Sequence, residues 1–204
     1  ALSFTTVPGS RVAPASGPWT DSLYQLRDPE LLSVLNETAE AGGCSRRGLP
    51  IGSVRVGEGQ VLAPGGTVEF SAKVRVPGAL PGSYAWQVVT NTDAAIFEGR
   101  NGGNNGALSA PFSLDLQVLM PGEPAISVLF APEVSRQWFQ VAPSPGMDQV
   151  LTLQTPATPL VCSLYAALGR IPSAADSDVA ATGAGASLQP VLAAASTGTW
   201  YVCL

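Results

Sequence analysis

Residues 67–76 alternate without a miss. Val68, Phe70, Ala72, Val74 and Val76 fall on one face, and Glu69, Ser71, Lys73 and Arg75 on the other. Successive side chains of an extended chain leave on opposite sides, so this period of two is the mark of a half-buried antiparallel strand. The stretch 81–105 that follows reads as a strand over 83–90, a tight polar turn, a short strand at 96–98 and an Asn/Gly-rich corner. Such segments recur along the whole chain and predict an all-β protein of antiparallel sandwiches.

Composition agrees. Hydrophobic residues make up 46% of the 204 residues and charged residues only 12%, while Gly (22) and Pro (18) are abundant. That is enough apolar surface for packed cores and enough turn formers for many short strands. The net charge of −5, with no basic stripe, argues against nucleic acid or an anionic membrane as a partner. No apolar run approaches the roughly 18–20 residues that cross a bilayer. The chain opens on Ala1-Leu-Ser-Phe in what reads as mid-strand, and is expected to be a piece of a longer polypeptide.

In chain order, strands are expected at 2–7, 19–26, 54–56, 60–62, 67–76, 83–90, 96–98 and 112–119. Residues 29–41, with Leu31, Leu32 and Leu35 on one side, form either the one plausible helix or a long loop. Met120-Pro-Gly-Glu-Pro124 is a stiff linker between two units, 1–119 and 125–204. The second unit is expected to have strands at 126–130, 136–141, 149–154, 160–168 and 199–204, a weak one at 187–194, and a surface loop over 174–187.

Chemistry-bearing residues are sparse. With no histidine, His-based catalysis and a His-containing zinc site are excluded. No nucleophile elbow, P-loop or dinucleotide fingerprint occurs, and the acidic residues are scattered, so no catalytic residues are expected. Asp93, Glu98, Asn101, Asn104 and Asn105 gather oxygen-bearing side chains near one corner. They read either as turn chemistry, which is favoured, or as a Ca²⁺ site. Cys162 shares a strand face with Leu160 and Leu164, and Cys203 with Tyr201. If their strands are neighbours a Cys162–Cys203 disulfide follows, and otherwise the two are reduced core residues. Cys44 is a loop cysteine. Asn36-Glu-Thr38 is a glycosylation sequon. Trp19, Trp86, Trp138 and Trp200 read as core rather than as a saccharide-stacking platform.

Two resemblances sharpen this reading. Gly17-Pro-Trp-Thr-Asp-Ser-Leu-Tyr24, Leu62-Ala-Pro-Gly-Gly66, Val76-Pro-Gly-Ala-Leu-Pro-Gly-Ser-Tyr84, the Thr92-Asp93 turn, Phe97-Glu98 and Asn104-Asn105 follow one another in the order seen in CARDB modules. The first unit resembles that cell-adhesion-related bacterial domain, which implies an immunoglobulin-like sandwich. Trp138-Phe-Gln-Val, Val150-Leu-Thr-Leu, Leu164-Tyr165 with Gly169-Arg-Ile-Pro-Ser173, and the closing Gly198-Thr-Trp-Tyr-Val-Cys-Leu204 resemble the bacterial pre-peptidase C-terminal domain. That implies a jelly-roll-like sandwich, although Ser163 stands where the family often has Asp. Both families imply accessory modules of secreted or surface proteins. The expectation is therefore a non-catalytic structural or adhesive segment of a large extracellular or cell-surface protein, such as a filament component in which these modules stack. Its partners would be neighbouring domains or other subunits. The alternative is a polysaccharide- or collagen-binding accessory module of a secreted hydrolase.

Overall fold

The computed structural model describes residues 2–6, 15–27, 48–59, 61–63, 66–97, 105–123, 126, 128, 135–142, 146–154, 161–184, 187–194 and 198–204. No helix occurs among them, and strands account for more than half of these residues. Residues 28–47, which include the segment 29–41, Asn36 and Cys44, lie outside the described residues. The chain divides into two compact units, Ala1–Pro77 with Gly82–Leu114, and Gly78–Pro81 with Asp115–Leu204.

The first unit is built on a five-stranded antiparallel sheet. β1 (Leu2–Thr6) and β2 (Ala15–Ser16) precede its central strand β3 (Trp19–Arg27), which pairs with β4 (Leu49–Val56) on one side. β5 (Val61–Leu62) pairs with β2, and β6 (Val68–Ala72) with β1 in the register Phe4↔Phe70. β7 (Gly82–Val89) flanks β3 on its other side, in the register Leu23↔Val88. Trp19, Leu23, Tyr24 and Leu26 are all buried, so β3 is covered on both faces of the sheet at its centre. The expected alternation holds for Val68, Ala72 and Val74 against Glu69, Ser71, Lys73 and Arg75 but ends at Val76, which is exposed, and the ladder covers only β6. Beyond it Val74 still points inward, its Cγ1 2.8 Å from where a Cβ on Gly52 would lie.

The far edge of β7 is closed by two short strands in succession, β8 (Gly106–Leu108) and β9 (Phe112–Leu114). Between them the ladder breaks at Ser109-Ala-Pro111. The Ser109 hydroxyl accepts the Trp86 N–H at 3.0 Å, and the Ser109 N–H donates to the Trp86 carbonyl at 2.9 Å. A side chain thus restores the acceptor that the diverging backbone withdraws. The strand expected over 112–119 is therefore two strands, β9 and β10 (Gln117–Leu119), and the second belongs to the other unit.

In the second unit, β10 pairs in parallel with β11 (Trp138–Val141), a departure from the all-antiparallel expectation. β12 (Gln149–Val150) and β13 (Leu153–Gln154) come next in sequence. The long β14 (Val161–Leu168) and β15 (Val179–Ala184) form a hairpin. β16 (Ser187–Leu188), β17 (Val191–Leu192) and β18 (Trp200–Cys203) complete the unit. The main sheet has the order β10-β11-β18-β14-β15. β15 runs through residues expected to be a loop. Val179-Ala-Ala-Thr-Gly-Ala184 carries little apolar signal, yet its small side chains let it lie close over its neighbours; a Cβ on Gly183 would come within 2.7 Å of Leu188 Cδ2.

β12 with β13, and β16 with β17, make one ribbon in one register. Gln149↔Leu192, Val150↔Val191, Leu153↔Leu188 and Gln154↔Ser187 are its pairs. The ladder lapses where Leu151 faces Pro190. Leu151 donates to the Pro190 carbonyl at 3.0 Å, but proline has no N–H to return the bond. The ribbon alternates strictly. Leu151, Leu153 and Leu192 pack on a core of Phe139, Val141, Leu164, Ala166, Trp200 and Val202, while Val150 and Val191 point out.

This register makes two adjacent residues behave oppositely. Leu192 is fully buried and Val191 is 51% exposed. Leu192→Ala is expected to cost about 2–5 kcal/mol, and Val191→Ala within about 0.5 kcal/mol of zero, in urea unfolding. Equal losses would mean that the ribbon is one residue out of register.

Candidate functional site

The densest polar cluster lies where β3 begins and β7 ends. Thr20, Asp21 and Ser22 on β3 meet the turn 91–97, and long-range hydrogen bonds tie the two together. Asp93 accepts the Thr20 N–H on Oδ1 (3.1 Å) and the Thr20 hydroxyl on Oδ2 (2.7 Å), and Ala95 N–H also reaches Oδ1 at 3.4 Å. Thr92 N–H (2.8 Å) and its hydroxyl (3.1 Å) both donate to the Thr20 carbonyl. With that proton committed, the Ser22 hydroxyl donates to Thr92 Oγ1 at 2.9 Å.

Asn91 organises the turn from inside. Its amide oxygen accepts the Ile96 N–H at 3.0 Å, and its amide nitrogen donates to the Ile96 carbonyl at 2.7 Å. The side chain thereby imitates a paired strand, which is why 96–97 form a turn and not the short strand expected at 96–98. Asn91 and Ala94 take left-handed φ values of 55° and 54°. Asn tolerates this region readily; Ala does so at a cost of about 1 kcal/mol.

Asp21 sits under this turn with only 2% of its surface exposed. Its Oδ1 accepts the Asn91 N–H at 3.1 Å, while Oδ2 is buried without a partner. Burial drives its pKa up to about 6, against the lowering effects of the Asn91 N–H and of the Trp19 side chain; the nearby Asp93 charge adds a further rise. The Trp19 indole N–H is close enough to be felt but makes no hydrogen bond of good geometry, and it too is buried and unpartnered. Asp93 behaves oppositely. Donation from the Thr20 hydroxyl, with backbone N–H groups, holds its carboxyl below the usual range. Two carboxylates of like type are thus split by environment.

Of the residues expected at a Ca²⁺ corner, Asp93 and Asn105 are described; Glu98, Asn101 and Asn104 lie outside the described residues. Both oxygens of Asp93 are committed, Oδ2 to the Thr20 hydroxyl and Oδ1 to the Thr20 and Ala95 N–H groups. Asn105 lends its carbonyl to Thr90 N–H at 2.8 Å, closing the β7–β8 ladder. These observations support turn chemistry at both positions. No cluster of metal-ligating side chains occurs among the described residues. Sequence reading missed Asp21, although the signal was present: a carboxylate in phase with Trp19 and Leu23 on a strand buried at its centre.

The Cys162–Cys203 bridge does not form, although the condition set for it, neighbouring strands, is met. Both thiols are free. Tyr165, not Cys162, stands opposite Cys203, which puts Cys162 three residues away along β14. That offset is roughly 10 Å, beyond the 7 Å or so that a disulfide spans. The two also face opposite sides of the sheet: Cys162 is in phase with Leu164 and Ala166, and Cys203 with Tyr201.

Among the tryptophans, Trp19 and Trp200 are core as expected, while Trp86 and Trp138 are half-buried. Trp86 stacks on Phe112 with ring centroids 4.8 Å apart. Trp138 lies under Gly78, whose Cβ would come within 2.5 Å of the indole.

The second unit has its own polar cluster in the β14–β15 loop. Arg170 grips Asp178 with two hydrogen bonds (2.9 and 2.7 Å) and Asp176 with a third (3.0 Å). Asp178 also accepts the Leu168 N–H at 2.9 Å. The Arg170 guanidinium holds the Asp178 carboxyl below its usual range, and the pair raises the arginine in turn. This loop-closing clamp was also missed in sequence, where 170 and 178 stand in different expected segments.

No family model matches the chain, and neither a curated protein nor a solved structure is detectably similar to it.

Two expectations follow from these sites. Asp21 binds its proton more tightly folded than unfolded, so its contribution to stability is fully present below about pH 4 and is lost as pH rises through about 6. The loss is on the order of 2 kcal/mol once screening near the open end of the cluster is allowed for. Asp21→Asn keeps an acceptor for Asn91 and should flatten the pH 4–7 stability profile while raising stability at pH 7; an unchanged profile would mean Asp21 is ionised and solvated. For the thiols, burial pushes Cys203 up and leaves it 3% exposed, with Cys162 more open. Timed alkylation of the folded chain with peptide mapping should label Cys162 well before Cys203.

Proposed function

We propose that this chain is a non-catalytic structural or adhesive segment of a large extracellular or cell-surface protein, in which two tandem β-sandwich modules serve as spacers and contact surfaces. The observation that carries the reading is where the polar chemistry goes. In each unit the strongest hydrogen-bonded cluster, Asp21–Asn91–Asp93 with Thr20 and Arg170–Asp176–Asp178, is spent on holding a turn against a sheet. A module whose best-placed charged groups fasten its own loops is suited to bearing load and presenting sheet edges.

The sequence resemblances to CARDB and pre-peptidase C-terminal modules point the same way, with an immunoglobulin-like first unit and a jelly-roll-like second. Neighbouring domains of the same chain or other subunits are the partners this reading implies, and a glycan at Asn36 and stacking into filaments would accord with it. The polysaccharide-binding alternative draws less support. It calls for a row of open aromatic faces, and Trp86 has one face against Phe112 while Trp19 and Trp200 are buried.

The test is surface exposure in the native source. An antibody raised against the 204-residue chain should label intact cells or secreted material without permeabilisation, and brief protease treatment of intact cells should remove the label. Labelling only after permeabilisation would overturn the proposal.

A further inference from the structure

We propose that β15 is a self-pairing edge, through which two copies of this chain join their five-stranded sheets antiparallel about a two-fold axis at Ala181.

The direction of each backbone group follows from one bond. Gly169 N–H donates to the Thr199 carbonyl at 2.8 Å in the register that pairs β14 with β18. Residues of an antiparallel strand turn N–H and C=O together, alternately to one neighbour and the other. The odd-numbered residues of β14 therefore serve β18, and Cys162, Leu164 and Ala166 serve β15. Their partners Gly183, Ala181 and Val179 spend their groups on β14. Ala180 and Thr182 turn theirs outward from the edge of the sheet, where no partner meets them among the described residues.

The other edges of the two five-stranded sheets carry guards. β4 has Pro50, Arg55 and a bulge opposite Leu23 and Tyr24. β8 and β9 are split by Ser109-Ala-Pro111, and β10 is three residues long with Pro121 close behind. These are the usual devices against strand addition. β15 has six residues with no charge, no proline and no bulge. Its Ala, Thr and Gly side chains leave a second strand free to approach to the ordinary spacing of about 4.8 Å.

Charge selects the occupant and its direction. The acidic residues near this edge, Asp176 and Asp178, lie at one end of β15 and are held by Arg170. An axis at Ala181 pairs Ala180 with Thr182 of the partner subunit, and sets the two copies of Asp178 about 20 Å apart, more than two screening lengths. Parallel pairing would put them side by side. Asp178 instead falls opposite the uncharged Ala184 of the partner subunit. The strand is thus complementary to itself in one orientation. Such a contact buries far less than the roughly 1,200 Å² of a stable interface, so it is weak and reversible, and gains strength when copies are held close.

Sedimentation equilibrium of the 204-residue chain across the micromolar-to-millimolar range decides it. The mass is expected to rise from monomer toward dimer, with little dependence on salt. Ala180→Pro removes an outward N–H without touching the β14 ladder, and should weaken the dimer at least tenfold while leaving the melting temperature near that of the parent. Ala180→Lys, which adds an edge guard without altering the backbone, should do the same and decides the matter if the proline variant is unstable. A monomer at every concentration overturns the proposal, and so does a dimer that a folded Ala180 variant leaves intact. Neither outcome bears on surface exposure, so this edge and the adhesive reading stand or fall separately.

Discussion

Backbone pairing governs this molecule. A chain with 12% charged residues and no described helix must satisfy its buried N–H and C=O groups across strands, because each one left unpaired costs about 1–3 kcal/mol. The informative positions are those where the ladder cannot continue. Pro190 withholds a donor in the β12–β13/β16–β17 ribbon, and the ribbon tolerates it because Leu151 still bonds the proline carbonyl. At Ser109 the edge strand leaves β7, and a hydroxyl stands in for a carbonyl. At Asn91 a whole side-chain amide replaces a strand partner. Ordinary polar residues in an unremarkable sequence thus become structural wherever the backbone falls short.

The Asp21 cluster extends the same logic at higher cost. Asp21 supplies the acceptor that Asn91 N–H needs in its left-handed conformation, and nothing apolar could do so. The acceptor has to sit beneath the turn, so the carboxyl is buried with one oxygen unpartnered and its proton affinity rises. Asp93 has only to cap Thr20 from the solvent side, and stays readily ionised. Asn would hold the same bond without a charge. Its place is taken by a residue that couples the β3–β7 turn to protons in the mildly acidic range, a coupling that exists whether or not the protein uses it.

What sequence could and could not reveal follows from the kind of signal each element carries. Strands that bury one face announce themselves by period two, as 149–154 does through Leu151 and Leu153; 83–90 was also legible, and so was 19–26, although its centre is buried on both faces. The all-β class was legible for the same reason. β15 was not, since Ala, Gly and Thr alternate without contrast and resemble a loop until Leu188 is known to lie beneath them. β4 was read only at its end, because Leu49-Pro-Ile-Gly52 breaks the alternation. The parallel step from β10 to β11 was hidden because local pattern carries no strand direction. The cysteines show the finest limit: the condition set for a bridge, neighbouring strands, is met, but the register that separates Cys162 from Cys203 is a three-dimensional fact. Asp21 was visible as a residue but not as a site, since its partner lies 70 positions away.

Low charge raises a further difficulty that the edges have to answer. Proteins ordinarily discourage strand addition with lysines and glutamates, and this chain has few to place. It uses proline and geometry instead: Pro50 with a bulge on β4, Pro111 with a break between β8 and β9, and Pro121 just past the short β10. A proline guard needs a position where the ladder can lapse. β15 has such positions only where an N–H faces outward, because it is the outer half of a hairpin whose inner half, β14, is the longest strand of its sheet and pairs along its whole length. Its outward residues could have carried charge without disturbing that ladder, and they are Ala180 and Thr182. Leaving both without a guard, where a charged side chain would have been easy to accommodate, is what self-pairing of this edge requires.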